Sequence, residues 1–145
     1  MSDKFIRITD DFYAAPQLDA DDVKRAAEQG FDLIINNRPD GEEAGQPAAA
    51  EIAAAASEAG IDYREIPIGR AGISHADLNA FDDATDGHQK VLGFCRTGTR
   101  STTLRAFALA HRGGNADEII ADAAKGGYDL SGHRQTLEQL STHRH

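Results

Sequence analysis

Short apolar segments alternate with stretches of helical periodicity along this chain, the pattern of an α/β sheet protein. Phe5-Ile6-Arg7-Ile8 and Phe12-Tyr13-Ala14 each read as a short strand, paired as a hairpin across Asp10-Asp11. Asp19 stands as N-cap to a helix with Val23, Ala26 and Ala27 at helical spacing, and Gly30 falls where a left-handed cap would end it. Residues 31–35 form an apolar run read as a buried strand, which closes at the loop Asn36-Asn37-Arg38-Pro39-Asp40-Gly41. Alanine-rich residues 47–59 predict a helix, with Pro47 at its start and Gly60 at its stop. Residues 61–68 predict a strand. Residues 74–83 predict a short helix, with Ser74 and Asp77 at capping-box spacing. Val91-Leu92-Gly93-Phe94 is a compact apolar strand, followed by a helix over 101–111 that places Leu104, Phe107 and Ala108 on one face. Asn115 and Glu118 open another helix that Gly126-Gly127 ends, and a last one follows Ser131. Strands alternating with crossover helices favour a mainly parallel central sheet with helices on both faces.

Between the last apolar strand and its helix lies Cys95-Arg96-Thr97-Gly98-Thr99-Arg100-Ser101, where the chemistry concentrates. In open α/β sheets ligands bind beyond the carboxyl ends of strands, and Cys95 lies at such an end. The following helix offers free backbone N–H groups and the positive end of its dipole, and a tight loop turns successive N–H groups inward as an anion nest. Gly98 supplies curvature that a Cβ would resist. The same field, with the neighbouring arginines, favours a thiolate on Cys95 over a thiol. Arg100 can grip an oxyanion in bidentate fashion, and Thr97, Thr99 and Ser101 bring hydroxyls that can donate to sulfur. Cys95 is therefore read as a nucleophile for a small anionic group, with Arg96, Arg100 and Arg105 as a cluster around it. Arg38 and Arg70, on neighbouring loops, are candidate rim residues selecting an anionic substrate. His75 is a weaker candidate for proton transfer.

Charge sharpens this picture. The chain carries a formal −9 over 145 residues, which argues against nucleic acid and anionic membrane as partners. An anion site here must build its own positive field. The length suits one domain over residues 1–145, and no apolar run approaches the ~20 residues that span a bilayer. A single cysteine forms no internal disulfide, so a reducing cytoplasm is the expected compartment. His88, His111 and His133 are scattered, and neither a Walker motif nor a dinucleotide fingerprint occurs. No metal and no cofactor is expected. His143 and His145 read as part of a disordered tail.

Phe12-Tyr13-Ala14-Ala15-Pro16-Gln17-Leu18 before a helix, with Leu33-Ile34-Ile35-Asn36-Asn37-Arg38-Pro39-Asp40-Gly41 after it, resembles the small bacterial tyrosine- and dual-specificity-phosphatase-like proteins. More narrowly, it is similar to the family described both as phosphatase-like and as sulfurtransferase, whose members also occur fused to a persulfide-processing metallo-β-lactamase-like domain. The resemblance spans residues 5–130. It implies a phosphatase-like three-layer α/β domain and, through the fusion, a persulfide dioxygenase as a partner. The phosphatase signature is His-Cys, five residues, Arg, Ser/Thr. This chain has Phe94 in place of the His and four residues between Cys95 and Arg100, so its loop resembles the six-residue active loop of rhodanese-type sulfurtransferases.

Each residue adds up to ~3.5 Å of loop perimeter, so the shorter ring closes more tightly on the cysteine. In the rhodanese group such a ring cradles a sulfane sulfur as a cysteine persulfide. Phosphoester cleavage also needs an acid to protonate the leaving oxygen, which those phosphatases place on the loop before the cysteine strand. Here that loop, Pro67-Ile68-Gly69-Arg70-Ala71-Gly72-Ile73-Ser74-His75, holds no carboxylate before Asp77, and Asp40 would have to approach from another loop. The expected function is a sulfurtransferase using thiosulfate or a persulfide. A cysteine-dependent phosphatase is the alternative, and a non-catalytic anion- or phosphopeptide-binding module the third.

Overall fold

A computed structural model describes residues 4–142. Among them the alternating pattern resolves into strands β1 (Ile6–Thr9), β2 (Phe12–Ala15), β3 (Leu33–Asn36), β4 (Asp62–Glu65) and β5 (Val91–Phe94). The helices are α1 (Ala20–Glu28), α2 (Ala49–Ala59), α3 (His75–Thr85), α4 (Thr99–His111), α5 (Ala116–Lys125) and α6 (Arg134–Thr142). The sheet order is β1-β2-β5-β3-β4. Only the β1–β2 hairpin is antiparallel; β2, β5, β3 and β4 run parallel. This is the α/β architecture that the hydropathy pattern predicts.

Alternation along the buried strands sorts the core into two layers. Leu33, Ile35 and Val91 pack against Leu78 and Phe81 of α3 and Leu104 and Ala108 of α4. Ile34, Leu92 and Phe94 face Val23 and Ala26 of α1 and Ile52 and Ala56 of α2. Each large aliphatic or aromatic side chain so removed from water contributes about 1.5–3 kcal/mol. A third cluster joins α4, α5 and α6 through Ala106, Ile119 and Leu137. None of the described helices is long and apolar enough to cross a membrane.

Several boundaries differ from expectation, three of them for a reason visible in the structure. The predicted strand 61–68 pairs only over Asp62–Glu65, because its partner β3 ends at Asn36, opposite Glu65. Its flanks stay tied to the sheet: the Ile66 and Ile68 amides donate to the carbonyls of Asn36 and Asn37, both at 2.9 Å. Helix α2 starts at Ala49, after Pro47, with the Asp40 carboxylate accepting the Ala49 N–H at 2.8 Å. Helix α4 starts at Thr99 rather than 101, because Gly98 turns the chain in a left-handed conformation and Thr99 is already helical. The tail reading at His143 and His145 lies outside the described residues.

Candidate active site

The parallel strands end at one edge, which brings Gln17, Cys95, Asn37 with Arg38, and Ile66 to Ile68 side by side. Cys95 continues β5 by one residue; its amide donates to the Ala15 carbonyl at 3.3 Å, and it is 1% exposed. The chain then turns at Gly98, with φ +93°, and the Gly98 N–H donates to Cys95 Sγ at 3.1 Å. A Cβ on Gly98 would collide with the Tyr128 hydroxyl and sit 3.3 Å from the Ala15 carbonyl. Tyr128 closes the loop from the segment after α5, donating its hydroxyl to the Thr97 carbonyl at 3.0 Å. Burial, reinforced by the cysteine's charge, pushes Tyr128 up to about 12, so it remains a neutral donor.

These contacts make Gly98→Ala a sharp test of the loop. The left-handed backbone and the clash together should cost about 2–4 kcal/mol of stability. Thermal denaturation should show the loss, together with a fall in Cys95 reactivity as the Gly98 N–H moves off the sulfur.

The hydroxyls behave differently from expectation. Ser101 Oγ donates to Asn37 Oδ1 at 2.7 Å, and the Thr97 and Thr99 hydroxyls bond each other at 3.0 Å. None of the three is donated to Cys95. Ser101 is buried beside Asn37, whose amide is itself held by the Ile66 carbonyl at 2.8 Å, and a buried hydroxyl takes the acceptor within reach.

All four candidate arginines of the loops meet. Arg38, Arg70, Arg96 and Arg100 line one cleft of about 440 Å³, together with Glu42 and Glu43. Arg100 lies in electrostatic contact with Cys95. It donates from Nη1 to Glu42 Oε2 (2.6 Å) and to the Ile68 carbonyl (2.8 Å), and from Nη2 to Glu42 Oε1 (2.9 Å). Arg38 is no surface charge. Its side chain is 3% exposed and reaches Glu42 Oε1 (2.9 Å), Glu43 Oε1 (2.7 Å) and Gln17 Oε1 (2.9 Å). Arg96 is exposed, with Glu43 at 3.6 Å. Arg70 lines the cleft, exposed and with no ion pair among the described residues.

Arg105 corrects the expected cluster. It leaves α4 toward the other end of the sheet, with Nη2 3.5 Å from the Thr9 hydroxyl and its guanidinium over the Phe12 ring at 5.6 Å. Five residues along a helix is about 1.4 turns, which carries the side chain away from the loop. His75 starts α3 and stacks edge-on against His111 at 5.5 Å, apart from the arginine cleft. Asp77 forms the capping box with Ser74, and Asp40 is held by the Ala49 amide.

Glu42 is the residue that sequence reasoning missed. The Arg100 hydrogen bonds, opposed by partial burial and aided by Arg38, hold its carboxyl at about 2. Glu43 is also held below the usual carboxylate range, chiefly by Arg38. A carboxylate runs against the positive field expected of an anion site, and nothing local in the sequence ties Glu42 to Arg100, 58 positions away. Gln17, Asn37 and Tyr128 were equally unmarked as site residues, although Gln17 and Asn37 fall within the stretches that carry the family resemblance.

The model of the beta-lactamase hydrolase-like protein, phosphatase-like domain family matches residues 4–112. The chain belongs to this family. A beta-lactamase hydrolase-like protein of Agrobacterium fabrum is 37% identical over 140 residues, covering 95% of this chain and 32% of that relative. The chain thus spans about a third of the length of the curated relatives it matches. Among solved structures, a candidate phosphatase of Neisseria meningitidis is 33% identical with a TM-score of 0.83, over 96% of this chain and 99% of that one. A Shewanella putrefaciens candidate phosphatase shares the fold at 19% identity and TM-score 0.73, over 98% and 94% of the two chains. These neighbours share the five-stranded, mainly parallel α/β fold of this chain. The family description and the solved relatives are phosphatase-like, which supports the phosphatase alternative over the sulfur transfer expected from loop length.

Proposed function

We propose that this phosphatase-like domain is a cysteine-dependent sulfurtransferase that carries a sulfane sulfur on Cys95. The observation that supports it is the state of the carboxylates at the cleft. Glu42, held at about 2, is ionised at any physiological pH, Glu43 is ion-paired with Arg38, and Asp40 is committed to α2. An alkoxide leaving from phosphorus needs a proton, whereas sulfite or a thiolate leaves without one. The four-residue spacing between Cys95 and Arg100 points the same way.

In this reading the Cys95 thiolate attacks the outer sulfur of thiosulfate or of a persulfide. The sulfur–sulfur bond of the donor breaks, and sulfite or thiolate leaves with the bonding pair. The Cys95 persulfide then lies against the Gly98 N–H and the Arg100 guanidinium. An external thiol, or cyanide in an assay, takes the outer sulfur and restores the thiolate. With one cysteine in the chain, the acceptor comes from outside. A persulfide released to a small thiol is the class of substrate that a persulfide dioxygenase consumes, which makes such an enzyme the proposed partner.

A second reading, phosphatase through a phosphocysteine, is favoured by the family match and by the names of the relatives. There Arg100 would clamp the phosphoryl oxygens. One assay pair separates the two. Sulfur transfer predicts thiocyanate from cyanide with thiosulfate or benzenethiosulfonate as donor, and ~32 Da of added mass on Cys95 that cyanide removes. Brisk cleavage of an alkyl phosphate with no thiocyanate formed would reverse the assignment.

A further inference from the structure

We propose that Glu42 sets the charge selectivity of the Cys95 site, weakening its hold on doubly charged anions more than on singly charged ones. The inference rests on Cys95 and Arg100 forming the anion site, a premise that both readings above share. If sulfur is the cargo, Glu42 shifts the balance from thiosulfate, a dianion, toward organic persulfides and thiosulfonates, which are monoanions.

The geometry begins with Arg100. A guanidinium has five N–H donors, and three hydrogen bonds of Arg100 are already made: two to Glu42 and one to the Ile68 carbonyl. Glu42 takes the paired Nη1–Nη2 edge, one of the two edges by which a guanidinium can grip two oxygens of a tetrahedral anion. A ligand is left with the remaining donors of Arg100 and with the loop amides. Glu42 is not a wandering surface group that an anion simply sweeps aside. Its amide and that of Glu43 donate to Gln46 Oε1 at 3.0 and 3.3 Å, and Gln46 Nε2 returns to the Pro39 carbonyl at 2.9 Å. Its carboxylate also rests on Arg38, which is buried and held from behind by Gln17.

Charge follows from this placement. Four arginines face two glutamates across the cleft, a formal excess of two positive charges. Glu42 contributes its negative charge on Arg100 itself, so an anion held there meets a fixed carboxylate nearby. Repulsion scales with the product of charges, so a dianion is penalised twice as much as a monoanion. Glu43 carries the same charge but sits on Arg38 and Arg96, away from Arg100.

Sulfate and methanesulfonate provide a matched test, since both present tetrahedral S–O groups and differ by one charge. Each is titrated as protection of Cys95 against iodoacetamide, whose alkylation (sulfur attacks the CH2 carbon, iodide leaves) needs no natural substrate. In Glu42→Gln, sulfate protection should tighten about tenfold more than methanesulfonate protection. Glu42→Asp should keep the wild-type ratio, and Glu43→Gln should change it less than Glu42→Gln. Because the readout is a ratio within each variant, a general loosening of the loop cancels. Equal tightening for both anions would make Glu42 a steric plug and overturn the charge role, as would no change at all. If neither anion protects wild type or variant, the anion site itself is refuted, and the proposed function falls with it.

Discussion

Replacing Cys95 with serine should lower turnover by about ten-thousand-fold while leaving the fold intact. Serine keeps the buried volume at the end of β5 and can still accept the Gly98 N–H, so the loop retains its closure. What is lost is the nucleophile. A serine hydroxyl stays protonated at neutral pH, and no neighbouring group is placed to deprotonate it: Glu42 is ion-paired, and His75 lies with His111. A ten-thousand-fold loss corresponds to ~5.5 kcal/mol of transition-state stabilisation. Steady-state kinetics on the better of the two substrate classes reads the loss, and a melting temperature close to wild type excludes unfolding as its cause. A serine variant retaining a few per cent of activity would show that Cys95 is not the attacking atom.

Arg100→Ala should reduce kcat/KM by about a hundred- to a thousand-fold, the scale of removing one charged stabiliser of a developing anion. Arg100→Lys should recover only a small part, because an ammonium cannot serve the Glu42 carboxylate, the Ile68 carbonyl and a ligand in one plane. The alanine variant has a second effect. Glu42 loses two hydrogen bonds and keeps Arg38, so its carboxyl should titrate above about 2, toward its free value. The two effects separate experimentally, since kcat/KM reports the first and carboxylate titration by NMR the second. Unchanged kcat/KM in Arg100→Ala would move the anion-binding role to Arg38 and Arg70.

Much of the fold was legible because its signals are local. Asp19 and Ser74 are N-caps with full capping boxes, and Gly60 ends α2 in the left-handed conformation, as the sequence suggests. The apolar runs of β3 and β5 announce strands covered on both faces. Boundaries were harder. The end of β3 at Asn36 limited β4, and α4 began two residues early because Gly98, in the left-handed conformation, caps a helix that starts at Thr99.

The site divides along the same line. By itself the sequence determined the α/β class, the strand–loop–helix around Cys95, the Cys95 to Arg100 spacing and the arginines that could serve an anion. All of these are properties of contiguous residues, for which hydropathy period and turn chemistry suffice. Only the tertiary structure decided which arginines meet. Arg38 joined the cleft from a loop 57 positions from Cys95, while Arg105, ten positions away, turned to the opposite end of α4. Only it placed Glu42 on Arg100, Ser101 on Asn37 and Tyr128 over Gly98. Those pairings depend on which strand ends the parallel sheet sets side by side, and buried polar groups take whichever partner that arrangement supplies.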